Sequence, residues 1–110
     1  PTLRQVMDVL EPYSLTVLDV ENIRLHYAKT LEHWLARFEN NVEQVREMFD
    51  EEFVRTWRLY LAGSMANFTT GALQLYQFTF ARPRSNDIPW TREYLYQQPE
   101  KAQQWNAVTS

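Results

Sequence analysis

The sequence predicts a helix-rich α+β chain with two strands. Three observations carry that reading. Apolar residues recur at helical spacing through most of 22–71, and two β-branched or aromatic runs, 15–20 and 72–81, bracket that stretch. The third is that only Gly63 and Gly71 are glycine in 110 residues, which leaves no glycine-rich loop of any kind.

Residues 1–13 are expected to form a short helix. Thr2 and Gln5 have the spacing of a capping box, Leu3, Val6, Met7 and Leu10 follow at helical intervals, and Pro12 closes the element. Leu15 to Val20 reads as a strand, with Leu15, Val17 and Asp19 on one face and Thr16, Leu18 and Val20 on the other. Apolar residues on both faces predict cover on both. From about Asn22 the period becomes 3.6, and Leu31, Trp34, Leu35 and Phe38 define a helix face that fades at Asn40-Asn41. A short helix through Val42, Val45 and Met48 follows. Asp50 is the expected N-cap of the longest helix, Glu51 and Glu52 suit its positive end, and Gly71 is the expected stop. Phe53, Trp57, Tyr60, Leu61, Ser64, Met65 and Phe68 are expected on one side of it. Ala72 to Ala81 reads as the second strand, with Tyr76, Phe78 and Phe80 on one face. Past Arg82-Pro83 the composition turns polar, with scattered aromatics at Trp90, Tyr94, Tyr96 and Trp105. The expected division is therefore a structured part, 1–82, and a polar tail, 83–110, lying over the surface or partly disordered.

Composition excludes several function classes. With 45% apolar and 15% aromatic residues, intrinsic disorder of the whole is ruled out. A net charge of −3 argues against a nucleic-acid partner, which calls for a basic surface. Zero cysteines removes disulfide scaffolds, thiolate metal sites and Cys nucleophiles, and suits a reducing cytoplasm. The uncharged run Leu59 to Ala81 is long enough to raise a membrane span. Its Ser64, Asn67, Thr69, Thr70, Gln74 and Gln77, and its change of period, favour a buried helix feeding a buried strand. The chain starts at Pro1, no signal peptide follows, and no glycine loop is present, which leaves two expectations: a non-enzymatic module, or a piece of something longer.

Few residues suggest chemistry by themselves. His26 and His33 are seven apart, wider than the three or four of helical zinc pairs, and have no obvious third ligand. Asp50-Glu51-Glu52 is better explained as a cap with its dipole complement than as a metal cluster. Tyr27, Tyr60 and Phe68 are more informative. A phenol can donate to an anion and aromatic faces stabilise cations, although aromatics at helical spacing are ordinarily core.

The stretch Val20-Glu21-Asn22-Ile23-Arg24-Leu25-His26-Tyr27-Ala28-Lys29-Thr30-Leu31-Glu32-His33-Trp34 pairs a strand end with a Y-x-x-T-L-x-x-W helix. It resembles the C-terminal part of the cyclopropane-fatty-acyl-phospholipid synthase family. The similarity continues in order through Arg37-Phe38-Glu39, the block Phe53 to Leu61, Phe68, Gly71 and Gln77-Phe78. It extends to Asp87 through Tyr96, which is similar to an ending seen in a bacterial subgroup. Where many relatives carry Cys after the equivalent of Leu59-Tyr60-Leu61, this chain has Gly63-Ser64.

The resemblance implies the C-terminal fragment of a class I, Rossmann-like methyltransferase, in which the last two strands pair antiparallel at one sheet edge. It implies a parent that transfers a methyl or methylene group from S-adenosylmethionine to the cis double bond of an unsaturated phospholipid acyl chain. The resulting carbocation loses a methyl proton as a ring closes, or is diverted to a methyl-branched product. Such a parent holds bicarbonate as the base, and Tyr27 matches the Tyr of the family's Y-x-x-T-L block that ligates it. Tyr60 and Phe68 are expected to line the acyl pocket. The other bicarbonate ligands, the cofactor loop and the catalytic Glu and His lie upstream of this chain in the family, so His26 and His33 are not that His. The fragment alone is expected to bind no cofactor and to be inactive, and to self-associate through uncovered strand edges and helix faces. The parent is expected in the cytoplasm, peripheral to the inner face of the membrane. The rival expectation is a stand-alone helical interaction or dimerisation module without catalysis.

Overall fold

A computed structural model of the chain describes residues 1–96. The element order is α1 (Leu3–Leu10), a 3-10 turn (Glu11–Tyr13), β1 (Thr16–Asn22), α2 (Arg24–Asn40), α3 (Val42–Met48), α4 (Glu51–Thr70), β2 (Tyr76–Ala81) and a second 3-10 turn (Arg92–Tyr96). Two compact units are present. One runs Asp19–Thr79, and the other joins Pro1–Leu18 to residues 80–96.

In the second of these, Thr2 caps α1 as its spacing predicts. Its hydroxyl accepts from the Gln5 amide, while the Gln5 side chain accepts from the Thr2 amide. The α-helix ends at Leu10, and Pro12 lies inside the following 3-10 turn, where a missing N–H costs nothing. Of the expected polar tail, residues 83–96 carry the second 3-10 turn and a fully exposed Trp90. The rest of it, with Trp105, lies outside the described residues.

β1 and β2 form a two-stranded sheet. The Ile23 amide donates to the Leu75 carbonyl at 2.9 Å, so the end of β1 lies beside the start of β2 and the pair is antiparallel. Both boundaries differ from expectation. β1 extends to Asn22, and β2 starts at Tyr76 instead of Ala72. Residues 72–75 are used to leave α4: the Leu73 amide bonds the Asn67 carbonyl at 3.1 Å, and the Gln74 side chain bonds the Gly71 carbonyl at 3.0 Å. Groups engaged in closing a helix are not available to a ladder. Nor is either face of β1 deeply covered, since Val17 to Val20 are only half-buried.

The unit Asp19–Thr79 is a helical hairpin. Tyr27, near the start of α2, meets Phe68 at the end of α4, whereas Glu39 near the end of α2 pairs with Arg58. The two helices therefore run antiparallel, with α3 in the connection. Their seam is Leu31 and Phe38 against Val54 and Leu61, with Tyr27, Leu35, Val42, Val45, Met65 and Phe68 packed around it. Spacings of four and seven along each helix keep these on one face. Asp50 caps α4 as expected, its carboxylate accepting from the Phe53 amide at 2.7 Å. Gly71 ends the helix at φ 85°, a left-handed conformation that favours glycine.

The core side of α4 differs from the expected one. Phe53, Trp57 and Tyr60 were expected to share the core side of α4 with Leu61, Met65 and Phe68, but the buried residues are Val54 and Leu61. The three aromatics stand on an adjacent outward stripe and stack on one another, continuing to Phe49. Ring centroids lie 4.3 Å apart for Phe49–Phe53, 6.1 Å for Phe53–Trp57 and 5.1 Å for Trp57–Tyr60. Both stripes have helical period, so periodicity alone does not choose between them. Trp34 is likewise at the rim of α2, 42% exposed. Among the described residues no helix is long and apolar enough to cross a membrane, in line with the reading of Leu59 to Ala81 as helix then strand.

Candidate functional site

Tyr27 is half-buried on the first turn of α2, and two rings meet it edge-on. The Phe68 centroid lies 4.9 Å away at an interplanar angle of 88°, and that of Trp34 6.1 Å away at 81°. Such T-shaped pairs bring ring edges, which are positive, against faces, which are negative. The sequence builds this locally. Tyr27 and Trp34 are seven apart and thus share a face of α2, while Phe68 sits in the last turn of the antiparallel partner. Of the three expected site residues, Tyr27 and Phe68 are in contact. Tyr60 is 57% exposed and stacks on Trp57 in the outward stripe.

A polar girdle that residue types alone did not disclose lies beside this cluster. The Arg24 guanidinium, one turn before Tyr27, donates from Nη1 to the carbonyls of Phe68 at 2.9 Å and Thr69 at 3.0 Å. These are last-turn carbonyls, where a cation complements the negative end of the helix dipole. The Asn22 side chain accepts from the Arg24 amide at 3.0 Å and donates to the Gln74 side chain at 2.7 Å. Gln74 in turn donates to the Gly71 carbonyl. A Cβ on Gly71 would stand 3.3 Å from Arg24 Nη1, so glycine serves space here as well as φ. The one legible signal was Asn22 placed two residues before a helix start, the spacing of an Asx turn.

An open cavity of about 290 Å³ lies at this β1–α2 junction, lined by Glu21, Asn22, Ile23, Arg24, Leu25 and His26. A larger one, about 600 Å³, lies against α1 and is lined by none of the expected site residues. His26 and His33 are exposed, and no group of three metal-ligating side chains occurs among the described residues. Away from the site, Arg58 holds the Glu39 carboxyl below its ordinary range by hydrogen bonding, and Arg46 does the same for Glu43. Any stabilisation from these exposed pairs is present above the ordinary carboxylate pKa and fades as pH falls through the lowered one.

Residues 1–78 match the sequence model of the mycolic acid cyclopropane synthetase family. The chain belongs to this family. The expectation drawn from the Tyr27-to-Trp34 block and the blocks after it therefore holds. The chain is 40% identical over 99 residues to a "Probable fatty acid methyltransferase" of Pseudomonas putida, covering 87% of this chain and 25% of that protein. It is 38% identical over 84 residues to a tuberculostearic acid methyltransferase of Mycobacterium tuberculosis, covering 74% and 20%. With cyclopropane mycolic acid synthase 1 of that organism it shares 32% identity over 79 residues, covering 72% and 28%. The chain thus spans about a quarter of the length of the curated relatives it matches.

Proposed function

We propose that this chain is the C-terminal part of a lipid-modifying methyltransferase. The parent uses S-adenosylmethionine to place a methyl or methylene group on the double bond of an unsaturated phospholipid acyl chain. The observation that carries this reading is family membership joined to the half-buried Tyr27 with Phe68 and Trp34 edge-on to it. In this reading β1 and β2 are the last, antiparallel strands of a class I, Rossmann-like sheet. The parent works in the cytoplasm, peripheral to the inner face of the membrane.

Tyr27 supplies one hydroxyl donor to a bicarbonate base, and Phe68 and Trp34 flank it with ring surface that keeps nucleophilic water away. Phe68 and, about two turns earlier in α4, Tyr60 contribute to the acyl pocket. One phenol is not a complete anion site, so the remaining ligands come from other parts of the parent. S-adenosylmethionine does not fit the residues described here. Gly63 lies within α4 and Gly71 ends it, which leaves no glycine turn to bring backbone against a cofactor. The chain alone is accordingly inactive.

Titrating S-adenosylmethionine into this chain by calorimetry should give no saturable heat. Saturable micromolar binding would show that the cofactor site is here after all. A second reading, an interaction or dimerisation module, is favoured by the exposed aromatic stripe from Phe49 to Tyr60. A fragment self-associates by covering that stripe, whereas a stand-alone module is a well-behaved monomer with a cooperative melt unless it is an evolved dimer. Sedimentation over a concentration series should show species heavier than the monomer, and a monomer at every concentration removes self-association from the account.

A further inference from the structure

We propose that Arg24 is a positioning residue for Tyr27, acting through the backbone of Phe68. The functional half of this inference rests on the reading of Tyr27 given above. Arg24 and Tyr27 are three residues apart on the same face of α2, and both reach the last turn of α4. Arg24 does so through the carbonyl of Phe68 at 2.9 Å, and Tyr27 through the Phe68 ring at 4.9 Å. One residue of α4 is thereby held at two points by the first turn of α2.

A T-shaped contact alone is a weak restraint and allows sliding. Two charge-assisted hydrogen bonds to adjacent carbonyls set the axial position of the α4 terminus and so remove that freedom. The girdle ties the backbone that carries Arg24 to the turn that follows α4. Asn22 fixes the backbone of Arg24, and Gln74 links Asn22 to the Gly71 carbonyl. Gly71 leaves the space that the guanidinium occupies. A simple helix-terminal cation needs none of these supports. The arrangement suits a group whose task is to hold one ring and one hydroxyl in register.

The test has a spectroscopic arm and a kinetic arm. In the 110-residue chain carrying ¹³C-labelled tyrosine, ring currents from Phe68 displace the Tyr27 ring resonances. Arg24→Met keeps the stem and removes the donors, so the Tyr27 displacement should be lost while the Leu31 and Val54 methyl resonances stay in place. Arg24→Lys, which keeps a cation on a shorter stem, should restore part of it. An unmoved Tyr27 in Arg24→Met, movement of all core resonances together, or a Lys variant no different from Met each overturns the proposal.

In the parent enzyme, Arg24→Met should lower kcat about tenfold with KM for S-adenosylmethionine unchanged. That lies inside the roughly 10²-fold cost of misplacing a reacting group by about 1 Å. If Tyr27→Phe loses turnover and Arg24→Met does not, the positioning role alone is overturned. If Tyr27→Phe keeps full turnover, the reading of Tyr27 fails with it, and the ring-current arm still decides whether Arg24 sets the geometry.

Discussion

Leu61→Ala is expected to destabilise the chain by about 2–5 kcal/mol, the range for emptying a leucine-sized volume in a packed core. Leu61 is 2% exposed and stands in the α2–α4 seam with Leu31 and Val54, which are equally enclosed. The two helices are packed in antiparallel register and limit collapse of the space, and Met65 is the adaptable neighbour that sets where in that range the loss falls. The loss is a large share of the roughly 5–15 kcal/mol total of an ordinary domain. Urea titration followed by helical circular dichroism measures it. Tyr60→Ala, on the neighbouring stripe, forfeits only a stacking contact of about 0.5–1.5 kcal/mol and is the matched control. At a concentration where the chain is monomeric, equal losses in the two variants would mean that α4 packs its aromatic stripe against α2 as tightly as its Leu61 side, contrary to the structure.

Tyr27→Phe in the parent enzyme is expected to reduce turnover while leaving cofactor affinity and folding nearly unchanged. The ring contacts with Phe68 and Trp34 survive the substitution, so only the hydroxyl is removed. A hydrogen bond to a charged partner contributes about 1.5–3 kcal/mol, which corresponds to roughly 10- to 150-fold in rate. Steady-state kinetics with an unsaturated phospholipid, read as kcat and as KM for S-adenosylmethionine, separates the effects. Full turnover would reduce Tyr27 to a packing residue of the α2–α4 seam. A rise in KM for the cofactor with kcat intact would place the hydroxyl in binding and not in the chemical step.

Local interactions made most of the elements legible. The Thr2–Gln5 box, the Asp50 cap and the Gly71 stop each depend on a few neighbouring atoms, and each is found where its spacing places it. The seam of α2 was legible in part, since Leu31 and Phe38 are buried and Leu35 packs against them. Trp34 was not, because a large amphipathic ring satisfies the helical period equally well at a rim. The site divides in the same way. Tyr27 stood out through the Y-x-x-T-L block, whereas Arg24 looked like any helix-start arginine. Its partners are backbone carbonyls 44 and 45 positions away, which carry no mark in the sequence.

By itself, then, the sequence determined the helices, the caps of α1 and α4, the two strands and the family, since all of these rest on short-range spacing or collinear blocks. Only the tertiary structure decided which of two apolar stripes on α4 is core, where β2 begins, and what holds Phe68 against Tyr27. The physical reason is that a helix with apolar residues on more than one side has no preferred rotation until its partner is present. Antiparallel packing against α2 chose the Val54–Leu61 side and left Phe49, Phe53, Trp57 and Tyr60 stacked on the outside.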